Sequence, residues 1–229
     1  ARICLDISNN PNDNTFNAVE KFMSTIDEKH SDKGNEAVTK DVDEILMALQ
    51  EQGEFKFNLP SLQSATNGIG RGNFMVIIAR PETGKTAFWV SLVASVGGFA
   101  WQQKKVSIFA NEEPAIRTQM RLLNACTGLQ RGSILNGSRD LTKKVWGGIN
   151  PYIENFDCVG KTMDDLNEYC ANNDVDILII DQLDKINVTG KFNATHEKLR
   201  EVYTQARELA KRHNILVIGM SQASAEAQG

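Results

Sequence analysis

The sequence predicts an α/β fold: a mostly parallel, twisted sheet with helices on both faces, preceded by a short α-helical segment. Three observations predict it. From about residue 55 onward, short runs that are apolar throughout alternate with amphipathic stretches. One such run, Phe74 to Ile78, leads straight into a loop ending Gly84-Lys85-Thr86. Another, Ile177 to Ile180, ends in Asp181. Strands that are apolar on both faces need cover on both faces, and parallel crossovers put helices there.

The first 50 residues stand apart in charge. They hold 5 Lys and Arg against 10 Asp and Glu, a net of −5, while the whole chain of 229 residues carries −4. Phe16, Val19, Phe22, Met23 and Ile26 recur at helical spacing, as do Val42, Ile45, Leu46 and Leu49. Residues 1–54 therefore read as an acidic helical lead or linker, packed on its own domain or docked on a neighbouring subunit. Residues 55–229 read as the α/β domain. Its strands are expected at 75–79, 106–110, 152–156, 177–181 and 216–220. Its helices are expected at about 86–96, 115–127, 140–147, 163–172 and 196–212. In the last, Leu199, Val202, Tyr203, Ala206, Leu209 and Ala210 share one face. Thr162, with Asp165 three residues on, resembles a capping box for the helix expected at 163–172.

Composition narrows the class. A hydrophobic content of 41% supports a sizeable core. No apolar run approaches the roughly 18 residues of a membrane span, so no membrane partner is expected. The start, Ala1 to Asp6, has no apolar h-region. Cys4, Cys126, Cys158 and Cys170 are scattered without a CxxC, which fits free thiols in a reducing cytoplasm. The chain begins without Met and stops soon after an apolar run, so it reads as a piece of a longer protein cut at its carboxyl end.

The chemistry concentrates at the ends of the expected strands, where parallel sheets bind ligands. Ala79-Arg80-Pro81-Glu82-Thr83-Gly84-Lys85-Thr86-Ala87, between a strand and a helix, reads as a phosphate-binding P-loop. Successive backbone N–H groups and the helix N-terminus face a polyphosphate. Lys85 brings a positive charge to its terminal phosphates, and the Thr86 hydroxyl can ligate Mg²⁺. Ala79 stands where a glycine is usual, which requires ordinary backbone angles there. Asp181 is placed to hold Mg²⁺ opposite Thr86. Glu112 and Glu113 end a further strand, and either can act as the base that polarises an attacking water. Pro114 suits a first helical turn, so Glu113 can serve the helix N-terminus and Glu112 is the favoured base. Gln222 ends the last strand in a neutral amide able to sense the γ-phosphate, or else is a plain surface residue. Arg121 lies on the helix after Glu112, able to reach the phosphates, a neighbour or only solvent. Lys185, Lys191 and Phe192 belong to a polar, glycine-containing stretch that can grip single-stranded nucleic acid or be an ordinary loop.

Taken together these motifs resemble the replicative DNA helicases of the DnaB type. Leu59 to Gly72 before the first strand, the Ala79-Arg80-Pro81 start of the P-loop, Glu112-Glu113, Asp181 and Ser221-Gln222 all match that pattern. Arg121 sits where these proteins carry a helical arginine. The resemblance covers about residues 55–222. It implies a RecA-like P-loop NTPase core that hydrolyses ATP with Mg²⁺ between subunits of a hexameric ring. Single-stranded DNA would thread the ring, touched by the stretch at 185–196. Primase and a helicase loader are implied as possible partners. The helix at 15–26 or 41–50 would be a linker that docks on the adjacent subunit. The family's arginine finger would fall after Gln222. Related readings are a RecA/RadA- or KaiC-like ATPase, or a nucleotide-switched scaffold or loader that does not unwind.

Overall fold

The computed structural model describes residues 41–43, 46–47, 53–190, 192 and 195–222. The chain divides into two compact units, Ala1–Glu51 and Gln52–Gly229. In the first unit Val42, Asp43, Leu46 and Met47 are helical. The expected helix at 15–26 and the rest of that at 41–50 lie outside the described residues.

The second unit runs α1 (Pro60–Thr66), β1 (Phe74–Ala79), α2 (Lys85–Ala94), β2 (Val106–Ala110), α3 (Ala115–Thr127), α4 (Arg131–Leu135), α5 (Arg139–Ile149), β3 (Ile153–Asp157), α6 (Met163–Asn172), β4 (Ile177–Asp181), α7 (Thr195–His213) and β5 (Leu216–Gln222). Short 3₁₀ turns precede β3 and follow β4. The five strands form one sheet in the order β1-β5-β4-β2-β3, and every neighbouring pair is parallel. All five expected strands are present, within one residue at the start and two at the end. The helices α1 and α4 were not expected. Each is too short to show a period, and α1 begins with Pro60 in its first turn.

Strand side chains alternate between two cores, as the period of two demands. Ile177, Ile179, Leu216, Ile218 and Met220 pack with Trp89, Val93, Leu122 and Ile149 from α2, α3 and α5. Leu178, Ile180 and Val217 pack with Leu166, Cys170, Val202, Ala206 and Leu209 from α6 and α7. Among the described residues, α2, α3 and α5 therefore cover one face, joined by Leu62 of α1, and α6 and α7 cover the other. That double cover is why β2 and β4 are buried at every position.

Local signals fix the helix ends. The Thr162–Asp165 capping box forms at the start of α6, with each residue's side chain bonding the other's backbone N–H. Asp157 at the end of β3 accepts the Ala115 N–H at 2.7 Å, holding the start of α3. Gly128 closes α3 in the left-handed conformation. At the opposite end of the sheet, Arg71 grips Glu54 (2.7 and 3.0 Å) and Asp176. Arg71 and then Lys104 hold the Glu54 carboxyl below its ordinary range. Both cations also lie over the Phe55 ring at 5.4 and 5.5 Å. This cluster anchors the stretch before β1 at the sheet edge away from the strand tips. Among the described residues, no helix is long and apolar enough to cross a membrane.

Candidate nucleotide site at the strand tips

The carboxyl ends of the strands line up on one edge. Ala79 pairs with Gln222 across β1 and β5. Ala110 pairs with Asp181 across β2 and β4, and with Asp157 across β2 and β3. The loops that leave these positions carry most of the residues singled out from the sequence.

Ala79 is an ordinary strand residue with no positive φ, so the missing glycine costs nothing there. The strain falls further along the loop. Glu82 adopts a left-handed conformation (φ 60°), and Gly84 does so at φ 94° immediately before α2. The Thr83 hydroxyl donates to the Arg80 carbonyl at 2.6 Å and closes the loop on itself. Arg80, Pro81, Glu82, Thr83, Gly84 and Ala87 are exposed, and Thr86 is half-buried in the first turn of α2. Lys85 is only 6% exposed. Its ammonium donates to the Ala79 carbonyl at 3.5 Å, and among the described residues no carboxylate forms an ion pair with it. A buried ammonium with one long hydrogen bond is a ready partner for an anion.

Asp181 is 2% exposed, and its Oδ1 has no hydrogen-bond partner. Burial pushes its pKa from the ordinary 3.8 up to about 6. The negative charge of Glu112 adds to the rise, Lys85 opposes it, and Glu113 and Lys185 have smaller effects. Glu112, Lys85, Glu113 and Lys185 thus all act electrostatically on Asp181. Asn111, beside Glu112, donates to the Gln182 carbonyl at 3.0 Å and leaves its own buried Oδ1 unpartnered. Gln182 is buried and left-handed (φ 66°), a conformation that costs a non-glycine residue ~1 kcal/mol or more.

An orphaned buried carboxylate oxygen next to a P-loop is the donor type that Mg²⁺ takes. Among the described residues no three His, Cys, Asp or Glu cluster into a protein-only cage.

The remaining candidates separate. Glu113 forms an ion pair with Arg121 at 2.6 Å, whereas Glu112 is exposed and in no ion pair among the described residues. Arg121 is thus turned onto Glu113. The Gln222 side chain is exposed, and its backbone N–H donates to Asp184 Oδ2 at 2.8 Å. Lys185 ends the 3₁₀ turn after β4 and is exposed. Phe192 is half-buried, with its ring close against Gly190, and Lys191 lies outside the described residues. Sequence reasoning did not single out Asn111, Gln182 and Asp184. Asn111 stood next to the two glutamates, which was the one available signal.

Residues 55–228 match the family model for the DnaB-like helicase C-terminal domain. The chain belongs to this family. The DnaB-like domain is 30% identical over 174 residues to a probable plasmid replicative DNA helicase of Chlamydia psittaci, covering 70% of this chain and 37% of that protein. It is 24% identical over 231 residues to the replicative DNA helicase DnaB of Geobacillus stearothermophilus, covering 90% and 49%. The chain therefore spans less than half the length of these relatives. Its fold matches a separately solved ATPase domain with a TM-score of 0.63 at 19% identity, over 83% of this chain and 74% of that one. A DnaB-like replicative helicase, solved to show its interactions with primase, matches with the same score and identity over 99% and 57%. The DnaB-like domain thus has the RecA-like fold of those ATPases.

Proposed function

We propose that this chain is the motor domain of a replicative DNA helicase, hydrolysing ATP to move along single-stranded DNA and unwind duplex. The observation that carries the reading is the gathering of Lys85, Glu112 and the orphaned Asp181 carboxylate at the strand tips of a DnaB-family domain.

The roles follow from the chemistry of each group. The P-loop from Ala79 to Ala87 wraps the phosphates with backbone N–H groups, and Lys85 neutralises their charge. Asp181 and Thr86 would hold Mg²⁺, which would supply charge screening for the phosphates when bound. Glu112 takes the proton of the attacking water, because the Glu113 carboxylate is already engaged by Arg121. Gln222 bonds the γ-phosphate through its exposed amide. Lys185, Lys191 and Phe192 contact the DNA strand by charge and stacking.

Self-assembly completes the site. A second copy, in a hexameric ring, supplies an arginine in trans to the developing charge. An apolar groove of about 310 Å³ between α3 and α5, lined by Ile116, Met120, Leu123 and Trp146, is a face that such assembly can cover. Primase, with which a structural relative was solved, and a helicase loader are the proposed partners. The cytoplasm is the proposed setting. Burial raises Cys126 and Cys158 to about 11 and Cys170 to about 12, so these thiols persist unreacted there.

The test is ATP turnover by the full-length protein with and without single-stranded DNA, together with unwinding of a forked duplex. Lys85→Ala should abolish both. Turnover that survives this substitution overturns the site, and DNA-stimulated turnover without unwinding overturns the helicase assignment.

A further inference from the structure

We propose that Asp184 is a positioning residue that ties Gln222 to Lys185, so that the phosphate-sensing end of β5 and the start of the DNA-facing segment shift together. The inference rests on the helicase reading above. It starts from how β4 ends. Left-handed Gln182 turns the chain sharply after Asp181 and brings the 3₁₀ turn Leu183–Lys185 back beneath the tip of β5.

Three contacts hold that turn to β5. Leu183 seats on Gly219, where a Cβ would stand 2.0 Å from the Leu183 Cδ1. Asp184 Oδ1 accepts the Ser221 hydroxyl at 2.8 Å, and Asp184 Oδ2 accepts the Gln222 backbone N–H at 2.8 Å. The β4–β5 pairing stops at Ile180 and Gly219, so beyond that point the Asp184 carboxylate replaces β4 on that side of β5, while β1 still pairs with the other side. The Ser221 hydroxyl oxygen in turn accepts the Tyr203 O–H from α7 at 2.8 Å. Bonds to a charged acceptor are stronger than neutral ones, so the turn and the strand tip form one stiff unit. Lys185, the next residue, has its charge near Asp181. A shift of Gln222 toward or away from a phosphate is therefore carried to Lys185 through the Asp184 carboxylate, with Leu183 on Gly219 as the second hold on the turn.

The test uses the full-length protein and poly(dT) as the DNA probe. Affinity for a non-hydrolysable ATP analogue and the ratio of turnover with DNA to turnover without it are measured for wild type, Asp184→Ala, Asp184→Asn and Lys85→Ala. Asp184→Ala should leave analogue affinity near wild type and cut the DNA stimulation by roughly tenfold, the scale of losing a charge-assisted bond. Asp184→Asn keeps the shape and one acceptor, so it should cut it less. If Asp184→Ala fails to fold, the isosteric Asn variant decides on the same readout. A wild-type stimulation ratio in the variant that folds, or a fall in analogue affinity as large as the fall in stimulation, overturns the role of Asp184. If Lys85→Ala turns over ATP normally, the proposed function fails first, and the two failures stay distinct.

Discussion

Replacing Asp181 with asparagine should make the protein more stable at neutral pH while removing its Mg²⁺-dependent nucleotide binding. The carboxylate is 2% exposed with an unpartnered Oδ1, and its pKa stands near 6 against an ordinary 3.8. The folded state therefore holds a proton on Asp181 more tightly than the unfolded state does. Stability from this group is full below about pH 3.8 and is lost as pH rises through about 6. Such a rise corresponds to about 3 kcal/mol of penalty near pH 7.5 and about half of that near pH 5. Asparagine carries no charge to desolvate. Asp181→Asn should thus melt above wild type by roughly 6–12 °C near pH 7.5, at ~2–4 °C per kcal/mol for a domain of this size. The margin should shrink by about half near pH 5. The assay is thermal unfolding at both pH values, with and without Mg²⁺ and an ATP analogue. Wild type should gain stability on their addition, since a cation relieves the buried charge, and the variant should gain much less. A margin that does not change with pH, or a variant less stable than wild type at neutral pH, would refute the argument from burial.

The other predictions address single contacts. Glu112→Gln should leave ATP binding intact and stop hydrolysis, measured as analogue affinity against turnover; if Glu113→Gln does this instead, the base is assigned to the wrong carboxylate. Gly219→Ala should lower stability by ~1–3 kcal/mol in denaturant titration, because its Cβ collides with Leu183. Adding Leu183→Ala should restore part of that loss, and strict additivity would show that the clash is not the cause. The 229-residue chain, held dilute as a monomer, should hydrolyse ATP slowly, since an arginine supplied in trans is worth ~10³-fold or more. Rapid turnover independent of protein concentration would contradict the shared site.

Much of the scaffold was legible because parallel strands buried on both faces leave continuous apolar runs. Val106 to Ala110 and Ile177 to Asp181 have the bounds that the sequence predicts. The Gly84-Lys85-Thr86 turn between β1 and α2 was legible because its residues are consecutive in the chain. What was not legible depends on register. The Ser221–Asp184 bond joins residues 37 apart, and nothing in the sequence around either residue says that they meet. Asp184 reads locally as one more acid after a strand. Only the left-handed turn at Gln182, itself invisible in a glutamine, brings its carboxylate to β5.

The choice between Glu112 and Glu113 shows the same boundary from the other side. Sequence spacing offered Pro114 and a helix N-terminus as the occupation of Glu113. In the folded chain, Asp157 on β3 accepts the first N–H of α3, and Glu113 is instead held by Arg121. The reason for proposing Glu112 as the base thus changes, from a dipole that the sequence suggested to an ion pair formed eight residues along. The pairing also bears on Arg121. An arginine bound to Glu113 must break a 2.6 Å contact, half exposed and hence weak, before it can reach a phosphate. If nucleotide draws Arg121 away, the Glu113 carboxylate is released beside Glu112.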